Sequence, residues 1–158
     1  EKIIEGYEGW YKRAKVKIRN ITDISNNEEA QSIIDDLIYP ELSYKIVGCL
    51  FDVYNELGGG YQEKFYQKAL EECFRKNNII FTPQAPFNVM FQNKIIGKYY
   101  MDFIIENKVV LEIKRGDYFA RTNIKQITDY LKAVNLQLGI LANFTNNKIR
   151  YIRILNAC

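Results

Sequence analysis

Tyr100-Met-Asp-Phe-Ile-Ile-Glu-Asn-Lys-Val-Val-Leu-Glu-Ile-Lys114 is the stretch whose reading decides the fold. Two apolar runs rich in Ile and Val meet at the polar Glu106-Asn107-Lys108, the pattern of a β-hairpin that carries Asp102, Glu112 and Lys114. Strand side chains alternate, so Glu112 and Lys114 share one face while Leu111, Ile113 and Arg115 take the other. Register then places Asp102. A turn centred on Asn107 sets Asp102 opposite Glu112, with Cβ atoms roughly 4.5 to 5.5 Å apart, and two carboxylates then grip one cation. A two-residue turn at Asn107-Lys108 would pair Asp102 with Ile113 and part the acids onto opposite faces. The first register is the expectation carried forward.

Outward from this hairpin, the upstream sequence continues as strands: Ile79-Ile80-Phe81, an interruption at Pro83 and Pro86, residues 87–91, a Gln92-Asn93-Lys94 turn and residues 95–105. The prolines mark a kinked or edge position, because proline cannot donate to a central ladder. Downstream, after Gly116, Thr122 is a fair N-cap for a helix to about residue 135, with Ile124, Ile127, Leu131 and Val134 on its sheet-facing side. Gln126 and Tyr130, four apart, project together from a neighbouring face of that helix. Residues 137–144 and 148–155 close the chain as two strands joined by Thr145-Asn146-Asn147.

Ahead of the strands, Ile46, Val47, Leu50, Tyr54 and Leu57 recur at helical spacing over residues 43–57, and Gly58-Gly59-Gly60 stops that helix. A second helix over residues 61–76 buries Phe65, Ala69, Leu70, Cys73 and Phe74. No G-K-[ST] follows the glycines and no strand leads into them, which argues against a phosphate-binding P-loop. Residues 1–40 read as a partly helical extension. Within it, Ser25-Asn-Asn-Glu28 is a capping box for a helix through Ile33, Ile34, Leu37 and Ile38 that Pro40 closes. The expected division is therefore 1–40 as extension and 41–158 as the domain. Helix, helix, strands, helix, two strands predicts an α/β (α+β) class with a central mixed β-sheet flanked by helices.

The 158 residues, 47% hydrophobic and 14% aromatic, suffice for the core of one ordinary domain. With no apolar run of about 18 residues and an acidic, amphipathic start, the expectation is a soluble, cytoplasmic protein. Cys49, Cys73 and Cys158 are far apart and odd in number, which favours neither a disulfide framework nor a zinc site. There is no histidine. Ser-His-Asp and Cys-His triads, His-ligated zinc and His general bases are thereby excluded, and any chemistry must use carboxylates, Lys, Tyr or metal. The net charge of +3 announces no partner by itself. The basic run Lys12, Arg13, Lys15, Lys17 and Arg19 reads either as a solvated face or as a nucleic-acid contact.

Phosphodiester hydrolysis needs a nucleophilic water, a stabiliser for phosphate charge and an acid or metal for the leaving oxygen. Mg²⁺ prefers hard oxygen ligands, commonly one or two carboxylates, which the Asp102 and Glu112 pair offers. Lys114 on the same strand face would orient water or neutralise developing charge. An isolated E-x-K on a strand is also what a solvated strand looks like; the Asp opposite it, with Gln and Tyr on the next helix and a Glu on the one before, is a rarer combination.

On these residues the chain resembles the GxxExxY group of the PD-(D/E)XK nuclease superfamily. Gly60, Glu63 and Tyr66 match the naming motif, Asp102 the first acid, Glu112-Ile-Lys114 the E-x-K, and Gln126-Ile-Thr-Asp-Tyr130 the Q-x-x-x-Y element. The resemblance covers about residues 42–155. It implies a restriction-endonuclease-like core and a Mg²⁺- or Mn²⁺-dependent nuclease, with DNA favoured over RNA. It further implies metal ligands Asp102, Glu112, Glu63 and the backbone carbonyl of Ile113, water activation by Lys114, and Gln126 and Tyr130 steadying the site. Arg115, Arg121 and Lys125 become candidate phosphate contacts, and Tyr118 with Phe119 a candidate base-stacking pair. Two rival readings stand beside this one: a catalytically silent nucleic-acid-binding or interaction module on the same fold, and a structural partner whose first 40 residues pair with a second subunit as a homodimer.

Overall fold

The computed structural model describes residues 38–156. The basic run at residues 12–19 and the helix expected after Ser25 lie outside the described residues. The chain divides into two units, Glu1–Asp52 and Val53–Cys158, whose boundary falls inside the first described helix, α1 (Pro40–Leu57). In the first unit, Pro40 opens α1. Its restricted φ and missing N–H suit the first helical position, and Glu41 in the same turn complements the helix dipole. Ser43, Ile46, Val47, Leu50 and Phe51 are buried at helical spacing.

The second unit holds the end of α1, α2 (Glu63–Lys76), β1 (Phe81–Phe91), β2 (Lys94–Ile105), β3 (Val109–Arg115), α3 (Arg121–Val134), β4 (Leu138–Phe144) and β5 (Ile149–Leu155). The five strands form one mixed sheet in the order β1-β2-β3-β4-β5. Only β3 and β4 run parallel, linked through α3. Within this unit α2 and α3 flank the sheet, the restriction-endonuclease-like α/β architecture. β1 is an edge strand, which accommodates Pro83 and Pro86.

Phe103 pairs with Leu111, Ile104 with Val110 and Ile105 with Val109, the register centred on Asn107. Glu106 and Asn107 both adopt positive φ, and the Lys108 N–H donates to Ile105 O at 2.9 Å, so Lys108 is the extra residue that makes the connection odd.

Opposite faces of the sheet receive α2 and α3, as strand alternation of Phe144 and Gly139 requires. On one face Tyr66 stacks on Phe144 with centroids 4.1 Å apart, and Phe74 meets Phe103 edge-on at 5.3 Å. On the other, a Cβ at Gly139 would lie 2.5 Å from Ile127 Cγ2, so the missing side chain lets α3 seat closely. Each fully buried Leu, Ile or Phe in these layers contributes about 1.5 to 3 kcal/mol.

Helix starts differ slightly from the periodicity. α2 begins at Glu63, and α3 begins at Arg121 with Ala120 in the N-cap position and no side-chain cap, leaving Thr122 inside the first turn. The sheet positions that start instead: Asn143 Nδ2 donates to Tyr118 O and Arg150 Nη1 to Asp117 O, both at 2.7 Å.

Candidate active site

Backbone pairing between β2 and β3 stops at Phe103 and Leu111, and carboxylates continue it. The Asp102 N–H donates to Glu112 Oε1 at 3.0 Å, and the Ile113 N–H donates to Asp102 Oδ2 at 2.8 Å. Each acid thus satisfies an amide of the other strand. The remaining two oxygens are also held: Gln67 Nε2 on α2 donates to Asp102 Oδ1 at 2.5 Å, and the Tyr99 hydroxyl donates to Glu112 Oε2 at 2.6 Å. Asp102 is 7% exposed and Glu112 1%. Four separate donors therefore fix two buried carboxylates side by side.

Burial above all, then a hydrogen bond with Glu112 and its charge, raises the Asp102 carboxyl above the ordinary carboxylate range. The Ile113 N–H and the Lys114 ammonium act in the opposite direction. Burial first, and then the bond to Glu112 with the surrounding negative charge, raises the Tyr99 phenol. Tyr99 consequently stays a proton donor to Glu112 at neutral pH.

Two acids so close are stable only with a proton or a cation between them. Each oxygen spends one lone pair on its protein donor and keeps another, and the set is all hard oxygen, which fits Mg²⁺ or Mn²⁺. Among the described residues no three Asp, Glu, Cys or His side chains gather into a metal cluster. The fit is to a cation that takes two carboxylates and keeps water or phosphate for its other positions.

Glu63, the third acid expected here, accepts from the Arg115 N–H at 3.2 Å, at the end of the strand that carries Lys114. Ile113 touches an acid through its N–H and not through its carbonyl. Lys114 lies in register with Asn143 of β4 and is close enough to influence Asp102. Tyr130 is 7% exposed in a cluster with Ala85, Met101, Ile127 and Leu131, its ring 5.5 Å from that of Phe87. Tyr99 packs against the same cluster, and among the described residues no hydrogen bond joins Tyr130 to either acid. Gln126 is half-buried on the same helix. Arg115, Arg121 and Tyr118 are exposed, whereas Lys125 is engaged with Asp129 at 2.6 Å. Phe119 lies under the Arg150 guanidinium at 5.1 Å.

Gln67 and Tyr99 are the two contacts that the sequence reading lacked. Gln67 follows Glu63 by one helical turn, so a same-face test around Glu63 would have found it. Tyr99 was hidden by strand alternation, which assigns it to the face away from Asp102. Opposite Asp102, Gln84 takes a φ of +52° and the β1–β2 pairing skips that step. Beyond this irregularity Met101 and Ile104 join one cluster although three positions separate them.

A protein-family model, the PD-(D/E)XK nuclease superfamily, matches residues 40–154. No curated protein matches the chain. Among solved structures, the chain is similar to that described as "Crystal structure of SSO0001", with 21% sequence identity and a TM-score of 0.45. The match covers 78% of this chain and spans 62% of the length of that one.

Proposed function

The chain belongs to the PD-(D/E)XK nuclease superfamily, and we propose that within it this protein is a divalent-metal-dependent hydrolase of nucleic-acid phosphodiester bonds. DNA is the favoured substrate and the cytoplasm the proposed setting. The observation that carries the reading is the interlock of Asp102 and Glu112, two buried carboxylates held by donors from α2, β2 and β3. Keeping two acids buried together is costly, and a cation site gives that cost a use.

In this reading Asp102 and Glu112, with Glu63 and the Ile113 carbonyl, would hold Mg²⁺ or Mn²⁺. When bound, such an ion supplies charge stabilisation at the phosphate and a means of activating water. Lys114 orients the attacking water. Gln67 and Tyr99 keep the carboxylates aimed. Gln126 and the Tyr130 hydroxyl steady the strand, and Arg115, Arg121, Lys125 and Tyr118 meet phosphates or bases along its path.

We also place the chain in the GxxExxY group, supported by what each motif residue does. Gly60 has φ +96°, Glu63 holds the Arg115 N–H, and the Tyr66 hydroxyl donates to Gly58 O at 2.7 Å while accepting from the Tyr61 N–H. Residues 41–158 are the proposed nuclease domain and 1–40 its extension.

The test is to incubate the full chain with plasmid, single-stranded DNA and RNA, each with Mg²⁺, Mn²⁺ or EDTA. Cleavage should need metal and vanish in Asp102→Ala and Lys114→Ala; cleavage unchanged in both variants would overturn the assignment.

A further inference from the structure

β1 and β2 run well past the sheet's core as a two-stranded arm, closed by Gln92 and Asn93 at positive φ. Its outer part exposes Met90 (53%), Phe91 (60%), Ile95 (59%) and Ile96 (65%). Residues 81–101 contain no Asp or Glu, while Lys94 and Lys98 are exposed. A cleft of about 530 Å³ on this arm is lined by Pro86, Phe87, Asn88, Met90 and Lys98, within the size range of small-ligand sites. The same strand that ends the arm carries Tyr99 and Asp102. Along β2, Lys94 and Asp102 are eight residues apart, about 27 Å of extended chain.

We propose that this arm is a binding surface for an unpaired nucleic-acid strand, with one unstacked base seated in the Pro86–Phe87–Met90 cleft and its phosphate on Lys98. The proposal takes the chemical nature of its ligand from the nuclease reading. Apolar and aromatic side chains bind bases by stacking, which unpaired bases allow. Two lysines are few for a duplex, whose binding is dominated by many phosphate contacts. A second copy of this chain is the poorer fit: Pro83 and Pro86 remove ladder donors from the edge strand, and two acid-free arms would oppose like charges.

The experiment measures anisotropy of fluorescein-labelled 20-mers, as single-stranded DNA, duplex DNA and single-stranded RNA, with the full chain in EDTA. Single strands should bind more tightly than the duplex. Lys94→Glu with Lys98→Glu should weaken single-strand binding at least tenfold and flatten the log-affinity against log-salt slope by about 1.4. Met90→Ser with Phe91→Ser should weaken it roughly 5- to 100-fold, with the slope unchanged. Thermal melting controls for folding, and Lys98→Gln replaces the charge reversal if that variant melts early.

Wild-type affinity in both double variants, tighter binding of duplex, or binding of none of the three probes overturns the proposal. So does a wild-type dimer that either variant converts to monomer in sedimentation, which would make the arm an interface between copies. Unchanged binding in the variants together with metal-dependent cleavage removes the arm and leaves the nuclease reading. Weakened binding in the variants, with no cleavage by the wild-type chain in any metal, does the reverse.

Discussion

The Asp102 N–H donates to Glu112 Oε1 at 3.0 Å, so an acid of β3 closes the ladder of β2 that its own carboxylate is proposed to serve. Removing either carboxyl removes a site group and leaves a buried amide unsatisfied, at about 1 to 3 kcal/mol. Asp102→Ala and Glu112→Ala should each abolish cleavage, by at least about 10³-fold, and lower the unfolding midpoint. Urea denaturation beside the cleavage assay checks both; an inactive variant of full stability would show that the amide bonds contribute nothing.

Gln67 tests a residue found only in the fold. Its amide holds Asp102 Oδ1, and orienting partners of metal ligands are worth about 10- to 100-fold in metal affinity. Gln67→Ala should weaken Mn²⁺ binding by that factor, measured by calorimetry, while moving the thermal midpoint little because Gln67 is only half-buried.

In EDTA the pH dependence of stability should run against the usual carboxylate trend. Asp102 has its folded pKa raised, chiefly by burial, so folding favours the protonated acid. That contribution is full below the unfolded carboxylate pKa and is lost as pH rises through the raised folded value. Melting temperature in EDTA should fall over this window, and Asp102→Asn should flatten the fall. Saturating Mg²⁺ should also flatten it, because the cation takes over from the proton.

Tyr130 separates core from chemistry. Its ring is packed against Phe87 and Met101's cluster, so Tyr130→Ala should cost about 3 kcal/mol of stability. Tyr130→Phe keeps the ring; stability should hold within about 0.5 kcal/mol, and cleavage per folded molecule should drop about 2- to 10-fold, the worth of one hydrogen bond.

Gly59 is a purely steric prediction. A Cβ there would sit 2.7 Å from Asn146 Cα and 2.8 Å from Thr145 O, both backbone atoms that cannot swing aside. Gly59→Ala should destabilise by about 2 kcal/mol, whereas Gly97→Ala, with open space around it, should be nearly silent. Chemical denaturation of the pair gives the comparison.

What the sequence made legible was whatever depended on neighbours in the chain. The Ile and Val runs around Asn107 announced the hairpin and left two registers, of which the Asn107-centred one is found, and Pro83 with Pro86 announced an edge. What it withheld depended on distant elements. Tyr130, on α3, is buried in a cluster to which Phe87 of β1 contributes a ring 5.5 Å away. Tyr99 donates to Glu112 from beyond the step at which Gln84 turns left-handed and the β1–β2 pairing is interrupted, a break that a count of alternating faces along β2 does not contain. Gln67 is an ordinary helix glutamine until Asp102 arrives beside it.

Carboxylates acting as the last rungs between β2 and β3 also give the chain a way to tell a correct hairpin from a slipped one. A shift of one residue would leave the amides of Asp102 and Ile113 unpaired and face each acid with an apolar neighbour. Misregistered hairpins are thereby penalised at the very position where the two acids must meet, and a molecule that has folded to completion has, by the same step, assembled the pair of acids proposed to hold the metal.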